Sequence, residues 1–243
     1  MSSAVPKVAM VLAAGLGTRM RPLTLTRPKA LVELGGRPLI DHVLARLAEA
    51  GIERVVVNVH AFAEALEAHL LAWRDRGLDI LVSDEREALL DTGGALAKAR
   101  ILLGDAPLVV ANIDSIWTEE PGGREIDRLA KVWAGERMDA LLLLSPVGRS
   151  LGFSGPGDFF LDRDGRLTHR GSLDAAPYAY AGVQILSPAV IEAWPSSRHS
   201  IFPHWMEMAS QGRLYGAVMG GRWMHVGDPA ALAAAEAEME RAA

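Results

Sequence analysis

Cysteine is absent from the 243-residue sequence, and so is any long apolar run. The first absence excludes disulfides, thiolate metal sites and a cysteine nucleophile. A membrane-spanning helix needs about 18 apolar residues in succession, and the opening MSSAVPKVAM also lacks the charged and apolar regions of a signal peptide. We therefore expect a cytoplasmic protein without a membrane partner.

An excess of positive charge is also missing, because the net charge is -5 and no cluster of lysine and arginine occurs. Nucleic-acid surfaces neutralise many phosphates with basic side chains, so we expect no nucleic-acid partner. A single nucleotide stays compatible with this charge. Hydrophobic residues make up 50% of the chain and charged residues 23%, which is typical of a folded protein. The length predicts one domain over residues 1–243.

Apolar, β-branched runs alternate with amphipathic helical patterns along most of the chain. This alternation predicts an α/β fold with a Rossmann-like, doubly wound, mostly parallel (mixed) sheet, in which ligands bind beyond the carboxyl ends of the strands. The turn-rich segment 148–180 predicts a small antiparallel insertion with a hairpin turn at 162–165. The predicted strands cover residues 8–12, 54–59, 79–83, 107–112, 139–144, 181–186 and 214–219, and the predicted helices cover 38–51, 63–76, 93–103, about 126–134 and 230–241.

A long loop follows the first predicted strand and contains Gly15 and Gly17. Unhindered backbone of this kind can approach a phosphate and offer N–H donors, although a tight turn is the simpler alternative. A dinucleotide-binding loop would need a third glycine, a helix and an acidic residue about 20 positions on. None of these is present, which argues against an NAD-dependent oxidoreductase. The P-loop pattern is missing too, and Pro22 and Pro28 exclude a regular helix.

The same loop carries four cations, Arg19, Arg21, Arg27 and Lys29. Guanidinium forks and an ammonium group bind several phosphate oxygens at once, so this set suits a triphosphate with about four negative charges. Lysine is otherwise scarce, since it occurs elsewhere only at positions 7, 98 and 131. We therefore interpret Lys29 as a ligand-binding residue, with a surface salt bridge as the alternative.

Asn112 and Asp114 follow the predicted strand at 107–112. A carboxylate at this edge can meet a magnesium ion that phosphates carry, and capping of the next element is the alternative. Gly93 and Gly94 open a predicted helix, where backbone can lie against a flat ligand or an anion. An ordinary helix cap is equally compatible with that pattern.

The stretch LAAGLGTRMRPLTLTRPKALVELGGRPLI, residues 12–40, resembles the signature of the sugar-nucleotide pyrophosphorylases. The resemblance continues through VNVHAFAEALEAHL, LLDTGGALAKA, VVANIDSIW and WMHVGDP, so it covers most of the chain. In its short length the sequence is most similar to the bacterial N-acetylmuramate 1-phosphate uridylyltransferases. The resemblance implies a nucleotidyltransferase that makes an NDP-sugar and pyrophosphate from a nucleoside triphosphate and a sugar 1-phosphate.

UTP and N-acetylmuramate 1-phosphate are the substrates that this resemblance implies, with Mg²⁺ as cofactor and a role in peptidoglycan recycling. Guanylyl transfer to mannose 1-phosphate and cytidylyl transfer to phosphocholine stay open, because base choice depends on a few contacts. A non-catalytic regulatory subunit that binds a sugar nucleotide is an alternative of another class. A homo-oligomer is compatible with the sequence but does not follow from it.

The resemblance also implies roles for individual residues, with Arg19 and Lys29 as the catalytic cations. Nucleotide contacts are expected from Leu12, Ala13, Ala14, Gly15, Gly17, Thr18, Glu87, Gly93 and Gly94. Substrate contacts are expected from Asn112, Asp158 and Gly182. The sugar phosphate of larger relatives meets a lysine that is missing here, so Arg163 or Arg170 would have to replace it.

The metal ligands that the resemblance implies include a departure from the family pattern. Asp114 matches the family's first ligand, but Ile113 replaces the glycine that precedes it in relatives. The second ligand of the family is an aspartate, and this chain has His225 at that position. Magnesium prefers oxygen ligands, and Asp228 offers a carboxylate three residues later if Gly227 bends the chain. We expect His225, Asp228 or both to complete the site.

Overall fold

The computed structural model describes residues 4–121 and 123–242, so the outer bounds of the predicted domain, Met1 and Ala243, lie outside the described residues. Strands and helices alternate as the sequence predicts. The strands are β1 (Val8–Leu12), β2 (Glu33–Leu34), β3 (Arg37–Pro38), β4 (Arg54–Val59), β5 (Asp79–Asp84), β6 (Leu108–Asn112), β7 (Ser115–Trp117), β8 (Ala140–Pro146), β9 (Phe159–Leu161), β10 (Leu167–His169), β11 (Tyr178–Leu186), β12 (Leu214–Val218) and β13 (Trp223–His225). The helices are α1 (Leu39–Glu49), α2 (Ala63–Arg74), α3 (Asp91–Leu103), α4 (Glu125–Val132), α5 (Pro188–Ile191), α6 (Phe202–Ser210) and α7 (Pro229–Ala242).

The main sheet is mixed, which confirms the predicted fold class. β1 lies between β4 and β6 and is parallel to both, while β5 extends the parallel part beyond β4. β11 is antiparallel to β6 and to β8, and β12 lies parallel to β8. The predicted insertion supplies the antiparallel hairpin of β9 and β10, which joins this sheet through β11.

Both faces of the sheet are covered by helices because its strands are apolar on both sides. Along β1, Ala9 and Val11 face one core with α1, α2, α4 and α7, whereas Met10 faces the other core with α3, α5 and α6. This arrangement leaves the carboxyl ends of β1, β4, β5 and β6 at one edge of the sheet. Among the described residues, none of the helices combines the length and the apolarity that crossing a membrane requires.

A small second sheet forms at that edge. β7 follows β6 after two residues and pairs antiparallel with β13, so that Ser115 lies opposite His225. The backbone N–H of Val226 also donates to the carbonyl of Asp114 at 2.8 Å. This pairing brings a distant part of the chain next to the loop after β6.

Candidate active site

A cavity of about 440 Å³ opens at the carboxyl edge of the parallel strands. The loops after β1, β5 and β6 form most of its wall, as the fold predicts. Its lining consists of Leu12, Ala14, Gly15, Leu16, Gly17, Thr18, Arg19, Lys29, Asn58, Leu89, Asp91, Thr92, Asn112, Ile113, Asp114, Arg198 and Gly227.

The glycine loop offers free backbone donors to this cavity. Among the described residues, no acceptor binds the backbone N–H groups of Gly15, Leu16 and Gly17. Gly17 has a φ of 60°, and a Cβ there would lie 2.9 Å from the Thr24 methyl group. The Thr24 hydroxyl donates to the carbonyl of Gly17 at 2.8 Å. Glycine is therefore needed at position 17 for both its conformation and its close packing, and the loop is held with its N–H groups available.

The backbone N–H groups of the two residues before Gly15 form hydrogen bonds inside the protein. Both Ala13 and Ala14 donate their backbone N–H to Asn58 Oδ1, at 2.6 and 3.2 Å. Asn58 Nδ2 donates to Glu85 Oε1 at 2.8 Å, and the backbone N–H of Leu90 donates to Glu85 Oε2 at 2.9 Å. Sequence reasoning missed Asn58 and Glu85, because neither stands out by spacing or by residue type.

The predicted contact of Gly93 and Gly94 with a ligand has another explanation in the structure. Both backbone N–H groups donate to the carbonyl of His199, at 3.0 and 3.1 Å. A Cβ on Gly93 would lie 2.5 Å from the His199 ring, and one on Gly94 would lie 2.4 Å from the carbonyl oxygen of Ser197. These glycines allow the 197–199 segment to pack on α3. They do not line the cavity, whereas Asp91 and Thr92 do.

Lys29 and Asp114 line the cavity, and His225 contacts Asp114 without lining the cavity itself. Lys29 Nζ lies 2.7 Å from Asp114 Oδ2, and His225 Nε2 lies 3.6 Å from the same oxygen. The Lys29 side chain is only 9% exposed, so its ammonium group is not on the solvent-exposed surface. The pairing of β7 with β13 explains why a histidine far along the chain is here. The structure therefore brings Lys29, predicted as a phosphate-binding cation, next to Asp114 and His225, the predicted metal ligands.

The Asp114 carboxyl has a strongly shifted pKa. Burial by itself would raise that pKa, but His225 and Lys29 outweigh burial and hold it well below its usual range. The carboxylate is therefore ionised at any pH near neutrality. An ionised carboxylate that meets an imidazole nitrogen and an ammonium group can bind a cation or balance the charge of an incoming phosphate.

Asp228 serves a different purpose from the one expected. Its Oδ1 accepts the backbone N–H of Ala231 at 2.9 Å, so its carboxylate caps the start of α7. Neither Asp228 nor His225 lines the cavity, but His225 Nε2 lies 3.6 Å from Asp114 Oδ2. The geometry supports His225 and not Asp228 as the partner of Asp114. Within the described residues, no group of three or more histidine, aspartate or glutamate side chains is placed to hold a metal ion.

The remaining predicted residues divide into those at the cavity and those outside it. Asn112, Leu12, Thr18 and Arg19 line the cavity. The exposed residues Arg21, Arg27 and Glu87 do not, and Ala13 is buried behind it.

Two predicted substrate residues have structural tasks near the cavity. Asp158 Oδ2 accepts the backbone N–H of Tyr180 at 2.9 Å and so fixes the insertion to β11. Gly182 has a φ of 74°, and a Cβ there would overlap Ser115. Arg170 donates to the carbonyls of Gly157 and Leu173, and exposed Arg163 lies between β9 and β10, so neither arginine lines the cavity.

Arg198 is a cation at the cavity that the sequence did not indicate. It lies on the loop between α5 and α6, and the contacts of His199 with α3 hold this loop over the cavity. Within the described part of the chain, neither Arg198 nor Arg19 has a carboxylate within 4.0 Å. Both guanidinium groups are therefore available to an anionic ligand.

Comparison with known proteins agrees with this geometry. The model of the nucleotidyl transferase family matches residues 8–146. An N-acetylmuramate alpha-1-phosphate uridylyltransferase of Caulobacter vibrioides is 50% identical over 242 residues, which cover 99% of this chain and 100% of that protein. A mannose-1-phosphate guanylyltransferase catalytic subunit beta of Danio rerio is 34% identical over 234 residues. That match covers 91% of this chain but only 61% of the guanylyltransferase.

Solved structures share the fold at lower identity. The UTP-bound UGPase from Acinetobacter baumannii has a TM-score of 0.76 at 18% identity, over 96% of this chain and 93% of that chain. The HddC protein from Yersinia pseudotuberculosis, complexed with GMP-PN, has a TM-score of 0.76 at 20% identity, over 96% and 100% of the two chains. At this identity the likeness supports the fold alone.

Two glycines of the site allow a test of their different tasks. We expect Gly94→Ala to destabilise the protein by about 1–3 kcal/mol, because the new methyl group would overlap the backbone of Ser197. Gly15→Ala meets no atom within 4 Å and should change stability by no more than about 0.5 kcal/mol. Thermal unfolding followed by circular dichroism measures both, and an unchanged melting temperature for Gly94→Ala would contradict the packing role.

Proposed function

The chain belongs to the nucleotidyl transferase family, and from the chemistry of its cavity we propose that it transfers a uridylyl group from UTP to N-acetylmuramate 1-phosphate and releases pyrophosphate. The observation that carries this proposal is that Arg19, the Lys29–Asp114 pair and the free backbone N–H groups of residues 15–17 line one cavity. The full-length match to a uridylyltransferase favours UTP over GTP or CTP. Such a reaction suits peptidoglycan recycling.

The triphosphate is proposed to bind along the glycine loop. The N–H groups of residues 15–17 would donate to phosphate oxygens, and the Arg19 guanidinium would bind two oxygens at once. Lys29 is more buried than Arg19, and its ammonium contacts Asp114, which also lines the cavity. These groups would stabilise the negative charge that grows on the leaving pyrophosphate.

The attacking group needs no general base. A sugar-phosphate oxygen attacks the α-phosphorus, the bond from that phosphorus to the pyrophosphate oxygen breaks, and pyrophosphate leaves with the electron pair. A phosphate monoester has a second pKa of about 6, so the attacking oxygen is already largely ionised at neutral pH. Catalysis then depends on positioning and charge stabilisation.

Arg198 is our candidate for the sugar-phosphate side of the cavity. It comes from a loop whose neighbouring residue His199 is hydrogen-bonded to Leu90, Gly93 and Gly94, and it has no carboxylate within 4.0 Å among the described residues. Two phosphate groups that react in line need positive charge on both sides, because they repel each other. Arg198 therefore replaces Arg163 and Arg170 in this role.

Asp114 and His225 are proposed to bind the divalent cation that this family uses. His225 Nε2 and Asp114 Oδ2 lie 3.6 Å apart. Two metal–ligand bonds of about 2.1 Å together exceed this distance, so one cation could contact both atoms. When bound, such a cation would neutralise triphosphate charge. One imidazole ligand suits a transition-metal ion better than Mg²⁺, which prefers oxygen.

A panel of substrates tests the proposed function. Purified protein is incubated with UTP, GTP or CTP and with N-acetylmuramate 1-phosphate, mannose 1-phosphate or phosphocholine, and pyrophosphate release is measured. We expect the highest kcat/KM for UTP with N-acetylmuramate 1-phosphate. No release with any pair would favour a non-catalytic regulatory subunit, and preference for another pair would replace the assigned substrates.

Arg19 and Arg21 provide a matched pair for the triphosphate contact. Both are exposed arginines in the same loop, but only Arg19 lines the cavity. We expect Arg19→Ala to lower kcat/KM by about 10²–10³-fold, the usual loss for one charge-stabilising donor, while the melting temperature stays unchanged. Arg21→Ala should keep near-normal rates. Equal rates in the two variants would refute the contact.

The histidine in the metal site predicts a change of cation preference. We expect His225→Asp to raise the activity with Mg²⁺ relative to Mn²⁺ by about tenfold compared with the parent protein, since a second carboxylate restores an oxygen ligand. The ratio of kcat/KM with each ion measures this, and the shift in melting temperature with ion plus UTP provides a reading without turnover. An unchanged ratio and an unchanged shift would remove His225 from the site.

A further inference from the structure

A buried amide and a buried carboxylate connect two walls of the cavity. Asn58 is the penultimate residue of β4 and is 4% exposed. Glu85 follows β5 and is 0% exposed. Asn58 Oδ1 binds the N–H groups of Ala13 and Ala14, and its Nδ2 binds Glu85, whose other oxygen binds the N–H of Leu90. The four hydrogen bonds cross from the loop after β1 to the loop after β5.

The two connected loops both line the cavity. Ala14 and the glycines that follow it form one side, and Leu89, Asp91 and Thr92 form the other. β4 lies between β1 and β5 in the sheet, so its last side chains are placed to join the loops on either side. The length of the hydrogen-bonded path therefore fixes the separation of these two walls.

The Glu85 carboxylate fixes the orientation of the Asn58 amide in this path. A carboxylate can only accept, so both of its oxygens must face donors. Asn58 then has to turn Nδ2 toward Glu85 and Oδ1 toward the two backbone N–H groups. Among the described residues, no lysine, arginine or histidine lies within 4.0 Å of the Glu85 carboxylate. Burying a charge without a counter-ion is costly, which points to a task beyond simple packing.

We propose that Asn58 and Glu85 are positioning residues for nucleotide binding, which set the separation of the loops at residues 13–17 and 89–92. This inference rests on the proposed function, because it assumes that the nucleotide binds between these loops. Neither residue takes part in the chemical step. Their loss should therefore weaken nucleotide binding more than it slows turnover of bound nucleotide.

Exchanging the amide and the acid gives a direct test. In Asn58→Asp two carboxylates face each other with no donor between them, and in Glu85→Gln one amide N–H₂ group faces another donor. The double variant Asn58→Asp/Glu85→Gln restores all four bonds, and only the bond between side chains 58 and 85 is reversed in direction. Its carboxylate at 58 accepts from Ala13, Ala14 and the new amide, and the amide oxygen at 85 accepts from Leu90.

We expect each single variant to raise the Kd for UTP by about tenfold, the effect of roughly one lost buried hydrogen bond, with a smaller change in kcat. The double variant should return to within about threefold of the parent Kd. Binding is measured by isothermal titration calorimetry at two salt concentrations, because the exchange moves the negative charge into the cavity wall. Arg86→Gln changes a charge next to Glu85 without touching the path, and its Kd should equal that of the parent.

Several outcomes would overturn the inference. Single variants that melt at a lower temperature but bind UTP normally would show a structural task only. A double variant no better than the worse single variant, or one that does not fold, would show that the polarity argument is wrong. If the single variants do not fold, the double variant alone decides, since it must fold and bind UTP. Failure of the proposed function is separate, because the unmodified protein would then bind or turn over none of the triphosphates.

Discussion

The ion pair between Lys29 and Asp114 is the contact on which the rest of the site depends. It joins the end of the loop after β1 to the first residues after β6, across 85 positions of sequence. Removing either partner would leave the other charge in a partly buried place, which proteins tolerate poorly. The pair also gives the cavity both signs of charge at one point, so that an anion and a cation can bind side by side.

The backbone around this pair divides its donors between structure and ligand. Ala13, Ala14, Gly93 and Gly94 donate inside the protein, to Asn58 or to His199. The N–H groups of residues 15–17 have no acceptor among the described residues, and the Thr24 hydroxyl holds this loop by donating to the carbonyl of Gly17. The two glycine pairs therefore differ: the N–H groups of Gly93 and Gly94 donate to a packed neighbour, whereas those of Gly15 and Gly17 have no acceptor among the described residues.

Much of the fold and part of the site follow from the sequence. Apolar, β-branched runs in the sequence predict the positions of the strands. Glycines and cations after β1 predict an anion site, because the carboxyl ends of parallel strands lie at one edge of the sheet. Asn58, Glu85 and Arg198 could not be predicted, because the sequence around each of them is typical of a strand end or a solvated loop. Only the folded chain shows that Glu85 turns inward while Glu87 does not. Likewise, the choice between His225 and Asp228 depends on the register of β13 against β7.

Base selectivity has to come from a different part of the cavity than catalysis. In the proposed reaction Lys29 and Asp114 act on the phosphates, which every nucleoside triphosphate shares, so they would not separate UTP from GTP. The Asn58–Glu85 path connects the loop that contains Ala14 with the loop that contains Leu89, and both residues line the cavity. If the base binds between them, as the proposed positioning role assumes, the width between these loops would limit its size. A purine needs a wider gap than a pyrimidine, so a fixed separation discriminates by size before any hydrogen bond to the base is made. A buried, hydrogen-bonded connection between these loops would keep their separation fixed, which discrimination by size requires.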